Sequence, residues 1–234
     1  MAYQKKKIVP IIMYINKETM MENRQLMIQL NEKKRYLKIK RLTDILLVLI
    51  GLILLAPIFL SVYLSIKISE PKAPVFFKQI RAGKEGQEFE MYKFRTMQVN
   101  AEKKLAELLQ YNEIEGAMFK MKKDPRITKI GGFLRKTSLD EFPQLVNVLK
   151  GEMSLIGPRP PLPREVEKYS AYDSQRLTIM PGCTGLWQVS GRNELTFSQM
   201  VELDLSYIQN LSFILDLKIL IKTFFVILVP KNAY

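Results

Sequence analysis

A chain of 234 residues with 47% hydrophobic side chains is long enough to bury a substantial core and too apolar for disorder. Its formal charge of +13 calls for an acidic partner, for which anionic lipid and nucleic acid are the usual candidates. With no histidine and a single cysteine, Cys183, imidazole triads, His-ligated zinc, an internal disulfide and a cysteine zinc cage are all excluded, so any metal must be held by oxygen.

The N-terminal segment, 1–40, opens with Lys5-Lys6-Lys7 and the apolar Ile8 to Ile15, interrupted by Pro10. That run is short for a signal peptide and no small-residue cleavage site follows, so the segment is expected to be retained in the cytoplasm. From Lys17 onward Met20, Met21, Met27, Ile28 and Leu30 alternate with Arg24, Lys33, Lys34 and Arg35. This is the pattern of an amphipathic helix, lying on a membrane or docked on the domain.

Residues 41–70 hold the most apolar run, Ile45 to Ile66, which contains no charge. At ~1.5 Å per residue it reaches ~33 Å, enough to cross a hydrocarbon core of ~30 Å. Two features favour a helix that enters and returns. Pro57 removes a backbone donor near the middle, and basic residues crowd both flanks, which the positive-inside rule places on one side. The expectation is a re-entrant helix broken at Ala56-Pro57.

The remainder, 71–234, is expected to form one cytoplasmic domain. Val75-Phe76-Phe77 and Phe89 to Phe94 flank a turn rich in glycine and predict a β-hairpin, whose second arm carries Lys93 and Arg95. A helix is predicted from Asn100 to near Gly116, followed by Lys120, Lys122 and Lys123, a run that is either a solvated face or a phosphate contact.

Next comes DPRITKIGGFLRKTSLDEFPQLVNVLKGEMSLIGPRP, from Asp124 to Pro160. Leu139, Phe142, Leu145, Val146 and Leu149 repeat with helical spacing and Gly151 closes the run, which puts Asp140 and Glu141 in a helix's first turn. Two explanations of the acid pair stand side by side. Ser138-x-x-Glu141 is a capping box and Asp140 itself suits an N-cap, so the acids serve the helix start alone. Alternatively they do chemistry with the neighbouring Arg135 and with Arg159, held extended between Pro158 and Pro160, because guanidinium forks match phosphate oxygens and a carboxylate is a nucleophile toward phosphorus.

Beyond Pro160 a helix is predicted from about Arg164 to Met180, stopping at Pro181-Gly182. In PGCTGLWQVSGRN three glycines surround the sole tryptophan, Trp187, expected in the core, while the glycines allow backbone to approach a ligand. Cys183 lacks a histidine base and is taken as filler. Thr196-x-x-Gln199 caps a helix through Asp204 and Tyr207, and the apolar Phe213 to Val229, carrying Asp216, Lys218 and Lys222, suits a helix at head-group level.

Together with PVFFKQIRAG and MYKFRTM, these runs resemble the bacterial sugar transferase family over about Lys40 to Lys222. The resemblance implies a monotopic phosphoglycosyl transferase of α+β, mostly helical class, with a proline-broken re-entrant membrane helix, a β-hairpin and interfacial amphipathic helices. It implies transfer of a sugar 1-phosphate from a UDP-sugar to undecaprenyl phosphate at the cytoplasmic face of the bacterial plasma membrane, the first membrane step of exopolysaccharide, capsule or O-antigen-type glycan synthesis. Carried over residue by residue, Asp140 is the nucleophile and a ligand of Mg²⁺, Glu141 assists, and Lys93, Arg135, Arg159 and Arg192 hold phosphate or nucleotide. The Ser-Pro pair often found at the helix break is Ala56-Pro57 here. Expected partners are the donor, the acceptor and inner-leaflet lipids, with no nucleic acid; a homo-oligomer is left open. The rival is a non-catalytic membrane scaffold or recruitment protein, which requires no acid pair.

Overall fold

The computed structural model describes residues 26–28, 30–101, 103–111, 121, 124–191 and 194–228. Outside these lie Arg192, Lys120, Lys122, Lys123, Gly116 and most of the N-terminal amphipathic segment. Of that segment, 26–28 and 30–32 are helical, and Leu26 and Leu30 are buried in the largest core cluster beside Ile208 and Ile219. Those leucines dock on the domain.

The apolar run lies within one 36-residue helix, α1 (Lys34–Ser69), that continues through Pro57. The two arms expected either side of Ala56-Pro57 are therefore one element. Serines beyond the proline bond back to the helix, Ser61 Oγ donating to Pro57 O at 2.9 Å and Ser65 Oγ to Ser61 O at 2.8 Å. These are bonds of each hydroxyl to the carbonyl four residues back, on the C-terminal side of the proline. Among the described residues α1 is the one helix long and apolar enough to cross a membrane, by length and composition. Ile53 and Leu54 are 76% and 71% exposed, whereas Val48 on one side of the proline and Val62 and Ile66 on the other are buried against the rest of the chain.

The hairpin forms as predicted: β1 (Phe76–Ala82) pairs antiparallel with β2 (Glu88–Phe94), setting Phe77 opposite Lys93. Glu85 and Gly86 both adopt positive φ in the turn. The helix predicted from Asn100 is represented by a short α2 (Leu105–Leu108) and a 3-10 turn at Leu109–Tyr111. Helix α3 (Lys129–Lys136) is capped by Thr128, whose side chain accepts from Gly131 N–H at 2.9 Å.

After a 3-10 turn at Leu139–Glu141, α4 (Gln144–Lys150) ends at Gly151 in the left-handed conformation, φ 79°, as the sequence predicted. Then comes a feature the periodicity did not announce, a parallel pair of β3 (Ser154–Ile156) with β4 (Gly182–Thr184). Strands of three residues are too short to leave an alternation pattern. Between them, the single helix expected from Arg164 to Met180 is instead α5 (Pro163–Val166) and a separate 3-10 turn, Asp173–Leu177. Ser170 and Asp173 exchange hydrogen bonds, Ser170 N–H donating to Asp173 Oδ2 and Asp173 N–H to Ser170 Oγ, and this local closure interrupts the helix.

Helix α6 (Phe197–Gln209) carries the predicted capping box of Thr196 and Gln199, and α7 (Phe213–Leu228) follows. Phe213, Ile214, Leu217, Ile221, Phe224 and Phe225 of α7 are exposed. Asp216, which composition placed at head-group level, is instead buried; it accepts from Tyr36 OH at 2.6 Å, Lys40 Nζ at 2.9 Å and Tyr207 OH at 2.8 Å. Lys40 also faces Asp44 at 3.8 Å, which accepts from Ser154 Oγ at 2.6 Å. This network joins the root of α1 to β3, α6 and α7.

Candidate active site

The geometry begins with a strained serine. Ser138 takes φ 56° and ψ 15°, a left-handed conformation that costs an L-residue on the order of 1 kcal/mol, and it turns the chain out of α3 into Leu139–Glu141. The capping box is not made. An N-cap needs extended backbone, and Ser138 makes no side-chain cap bond. Asp140 does not cap either, since α4 begins behind Pro143, which has no capping side chain. Both carboxylates are left for other work.

Glu141 Oε1 accepts from Lys93 Nζ at 2.7 Å, yet the Glu141 side chain stays 31% exposed, so one face still meets the cleft. Burial pushes its carboxyl upward, but Lys93, Arg159 and Arg81 outweigh burial and hold it down at about 2. Asp140 is 7% exposed. Burial lifts its carboxyl to about 6, Lys93 and Arg135 opposing the rise and Glu141 adding to it. Adjacent carboxyls pushed in opposite directions are an arrangement active sites use to divide two roles between like groups.

Cations surround this pair from separate elements. Arg135, on the last turn of α3, is fixed by Nε donating to Thr96 Oγ1 at 2.9 Å. Arg81, at the end of β1, donates to Pro160 O at 2.9 Å and to Gln79 Oε1 at 2.7 Å. Burial and then Arg159 lower its guanidinium to about 10. Arg159 is half-buried and faces the cleft. The structure thus brings Lys93, Arg135, Asp140, Glu141 and Arg159 together.

They line an open cleft of about 2320 Å³. Part of its wall is apolar: Leu55 of α1, Phe142, Leu145, and Leu220 and Ile227 of α7. Pro57 makes no part of the wall, but Phe59 of the same helix packs its ring 6.1 Å from Phe142 and 5.5 Å from Phe94. The cleft therefore offers a cationic centre to an anion and, beside it, a surface for hydrocarbon.

Among the described residues no group of three or more His, Cys, Asp or Glu side chains gathers to cage a metal. With Glu141 engaged by Lys93, the donor set reduces to Asp140. Mg²⁺ is commonly held by one or two carboxylates, the remaining positions taken by substrate phosphates and water, so a single aspartate fits a cation that arrives with a diphosphate.

The family model for bacterial sugar transferases matches residues 35–230. The chain belongs to the bacterial sugar transferase family. It is 46% identical over 202 residues to a galactosyl transferase, CpsE, of Streptococcus agalactiae, covering 86% of this chain and 44% of that protein. It is 44% identical over 214 residues to the undecaprenyl-phosphate galactose phosphotransferase of Salmonella typhimurium, covering 89% of this chain and 44% of that one. Against an exopolysaccharide production protein, ExoY, of Sinorhizobium fredii, identity is 41% over 199 residues, or 83% of this chain and 88% of that protein. The chain thus spans less than half the length of the first two relatives and most of the third.

In this family member two residues outside the predicted set, Arg81 and Cys183, line the cleft. Arg81 counted in the sequence only as flanking charge; a lone arginine at an inward strand position was the available signal. Cys183 lines the cleft wall, its thiol pushed up by burial and by Glu141, and so stays protonated. Trp187 is buried as expected. The glycines around it serve packing between strands: a Cβ on Gly182 would stand 2.1 Å from Gly157 N, and one on Gly185 2.4 Å from Gly157 O.

Proposed function

We propose that the protein is a phosphoglycosyl transferase that moves a sugar 1-phosphate from a UDP-sugar to undecaprenyl phosphate, releasing UMP and forming an undecaprenyl-diphosphate-sugar. The observation that carries this is the buried Asp140 beside the Lys93–Glu141 pair, with Arg135, Arg159 and Arg81 around it in a cleft that also has an apolar wall. The names of the undecaprenyl-phosphate galactose phosphotransferase and of the exopolysaccharide protein support the substrate class and a role in exopolysaccharide synthesis.

An ionised Asp140 oxygen attacks the phosphorus that bears the sugar. The bond from that phosphorus to the bridging oxygen breaks, and UMP departs with the electron pair. A phosphosugar-aspartyl enzyme remains, with Arg135 and Arg159 holding its phosphoryl oxygens and Lys93 balancing Glu141. A phosphate oxygen of the lipid then attacks the same phosphorus and Asp140 leaves as carboxylate. The two half-reactions share one nucleophile and follow a ping-pong sequence. Asp140 would hold Mg²⁺ brought in with the donor, and the ion would supply charge neutralisation there.

The isoprenoid chain lies along the wall formed by Leu55, Phe142, Leu220 and Ile227, and α7 rests at the inner-leaflet interface on its exposed phenylalanines and isoleucines. Helix α1 is re-entrant, which the docking of both its ends on the same domain supports. In the experiment that tests the function, purified protein is mixed with a panel of UDP-sugars, with and without undecaprenyl phosphate, while UMP is measured and the protein is weighed by mass spectrometry. Expected are UMP release, and a phosphosugar adduct on Asp140 when acceptor is withheld; release of UMP without any adduct would dismiss the covalent step, and no turnover of any donor would dismiss the activity.

A further inference from the structure

Among the described residues, strand β2 pairs with β1 along one edge only, in a sheet of two strands. Its other edge still carries peptide groups that need partners. Asn147, in the middle of α4 and fully buried, supplies them: its Oδ1 accepts from Tyr92 N–H at 3.0 Å and its Nδ2 donates to Glu90 O at 2.7 Å. The carboxamide stands in for one peptide unit of an absent third strand. Nδ2 also donates to Glu152 Oε2 at 2.8 Å, which fixes which end of the amide faces which backbone group.

The residue after Tyr92 is Lys93, and Glu141 precedes Asn147 by less than two turns of the same segment. Two ties therefore join β2 to the continuous segment 139–150, the Lys93–Glu141 contact at its 3-10 turn and the Asn147 amide in α4. A lysine side chain is long and has several rotamers, so the ion pair alone does not set the spacing of strand and helix. A buried amide bonded at both ends does.

We propose that Asn147 is a positioning residue, which locks the register of β2 against α4 and so holds Lys93 on Glu141 beside Asp140. It touches no substrate and acts through Lys93. The effect on turnover rests on the proposed function; the effect on Lys93 itself does not.

The test is a cycle of Asn147→Ser, Lys93→Met and the double variant, each scored for UMP release per folded protein and for thermal unfolding. Loss of register misplaces Lys93 by about an ångström, which lowers kcat about 10- to 100-fold in Asn147→Ser and leaves KM for the donor nearly unchanged. In the Lys93→Met background the same change lowers kcat no further. An equal loss in both backgrounds means that Asn147 serves packing alone and overturns the proposal. Should Asn147→Ser fail to fold, Glu152→Ala removes only the outermost contact of the amide and takes its place in the cycle. Independently of activity, acetylation of Lys93 by acetic anhydride, followed by peptide mass spectrometry, is faster in the variant than in the parent; an unchanged rate overturns the positioning role. A parent protein that turns over no donor, together with a changed acetylation rate, faults the activity and not the inference.

Discussion

Lys93 Nζ stands 2.7 Å from Glu141 Oε1, and this contact gives the second acid of the pair its place. It leaves Asp140 as a buried carboxyl with no hydrogen-bonded cation of its own among the described contacts, and burial raises it to about 6. A folded value above the ordinary carboxylate value means that the folded state binds the proton more tightly than the unfolded state does. This group's contribution therefore falls as pH rises from about 4 to about 6 and stays lost above that. Asp140→Asn removes the penalty and keeps the shape. In metal-free buffer the variant should unfold no more easily than the parent at pH 5, and should be more stable at pH 7 by on the order of 2 kcal/mol, while releasing no UMP with any donor. Denaturation at the two pH values, with a UMP assay alongside, checks both halves.

Arg41 ties α1 to the far end of the acid-bearing segment. Its Nη1 donates to Val148 O at 2.5 Å and its Nη2 to Leu149 O at 3.0 Å, satisfying carbonyls at the C-terminus of α4. A guanidinium presents parallel N–H donors in a rigid fork, whereas an ammonium on a flexible stem must give up more rotamer freedom to reach two carbonyls. Val148 O keeps the Gly151 N–H, at 3.0 Å, so Arg41→Met should cost about 1 kcal/mol, for the acceptor at Leu149 O, and Arg41→Lys should recover only part of it. Urea unfolding in a fixed detergent reads the difference, and a lysine variant as stable as the parent would show that one contact suffices.

The parallel pair predicts an intolerance. Alanine at 182 would place its Cβ 2.1 Å from Gly157 N and 2.4 Å from Thr184 O, both backbone atoms that cannot swing away. Gly182→Ala should therefore prevent β3 from meeting β4 and give aggregated protein, whereas Gly132→Ala, whose Cβ would meet nothing within 4 Å, should fold normally. Yield of monodisperse protein after detergent extraction distinguishes them.

What the sequence disclosed depended on the range of the interactions involved. The hairpin, the Gly151 helix stop and the Thr196 cap are local, each written within a few residues, and they form as predicted. The acid pair and its arginines were also visible as an unusual gathering of charge. Ser138 misled because a capping box requires extended backbone and this serine stands at positive φ, which spacing alone does not reveal. Asn147, Arg81 and the β3–β4 pair were illegible for a different reason. Their partners lie far along the chain, at Tyr92, Pro160 and Gly157, and a single polar letter in an apolar run does not say what it bonds. Asp216 belongs with them, its carboxylate spent on residues at 36, 40 and 207.

The proposed re-entrance of α1 makes a prediction about sidedness. A helix of 36 residues is ~54 Å long, ample to cross a bilayer. Yet at its start Lys33 donates to Gln209 O at 2.9 Å and Leu211 O at 3.1 Å, and near its end the ring of Tyr63 packs 6.5 Å from that of Phe76 and Ile66 is buried beside Val75 and Leu134. A helix that crossed would have to strip one of these ends from the domain and leave the buried faces of Val62 and Ile66 facing lipid or water. Both ends should therefore lie on one side of the membrane. Single cysteines at Arg35→Cys and Lys72→Cys, both exposed positions, in a Cys183→Ala background give the measurement. With a membrane-impermeant maleimide, both should react in inside-out vesicles and neither in intact spheroplasts; reaction of one in each preparation would mean that α1 crosses.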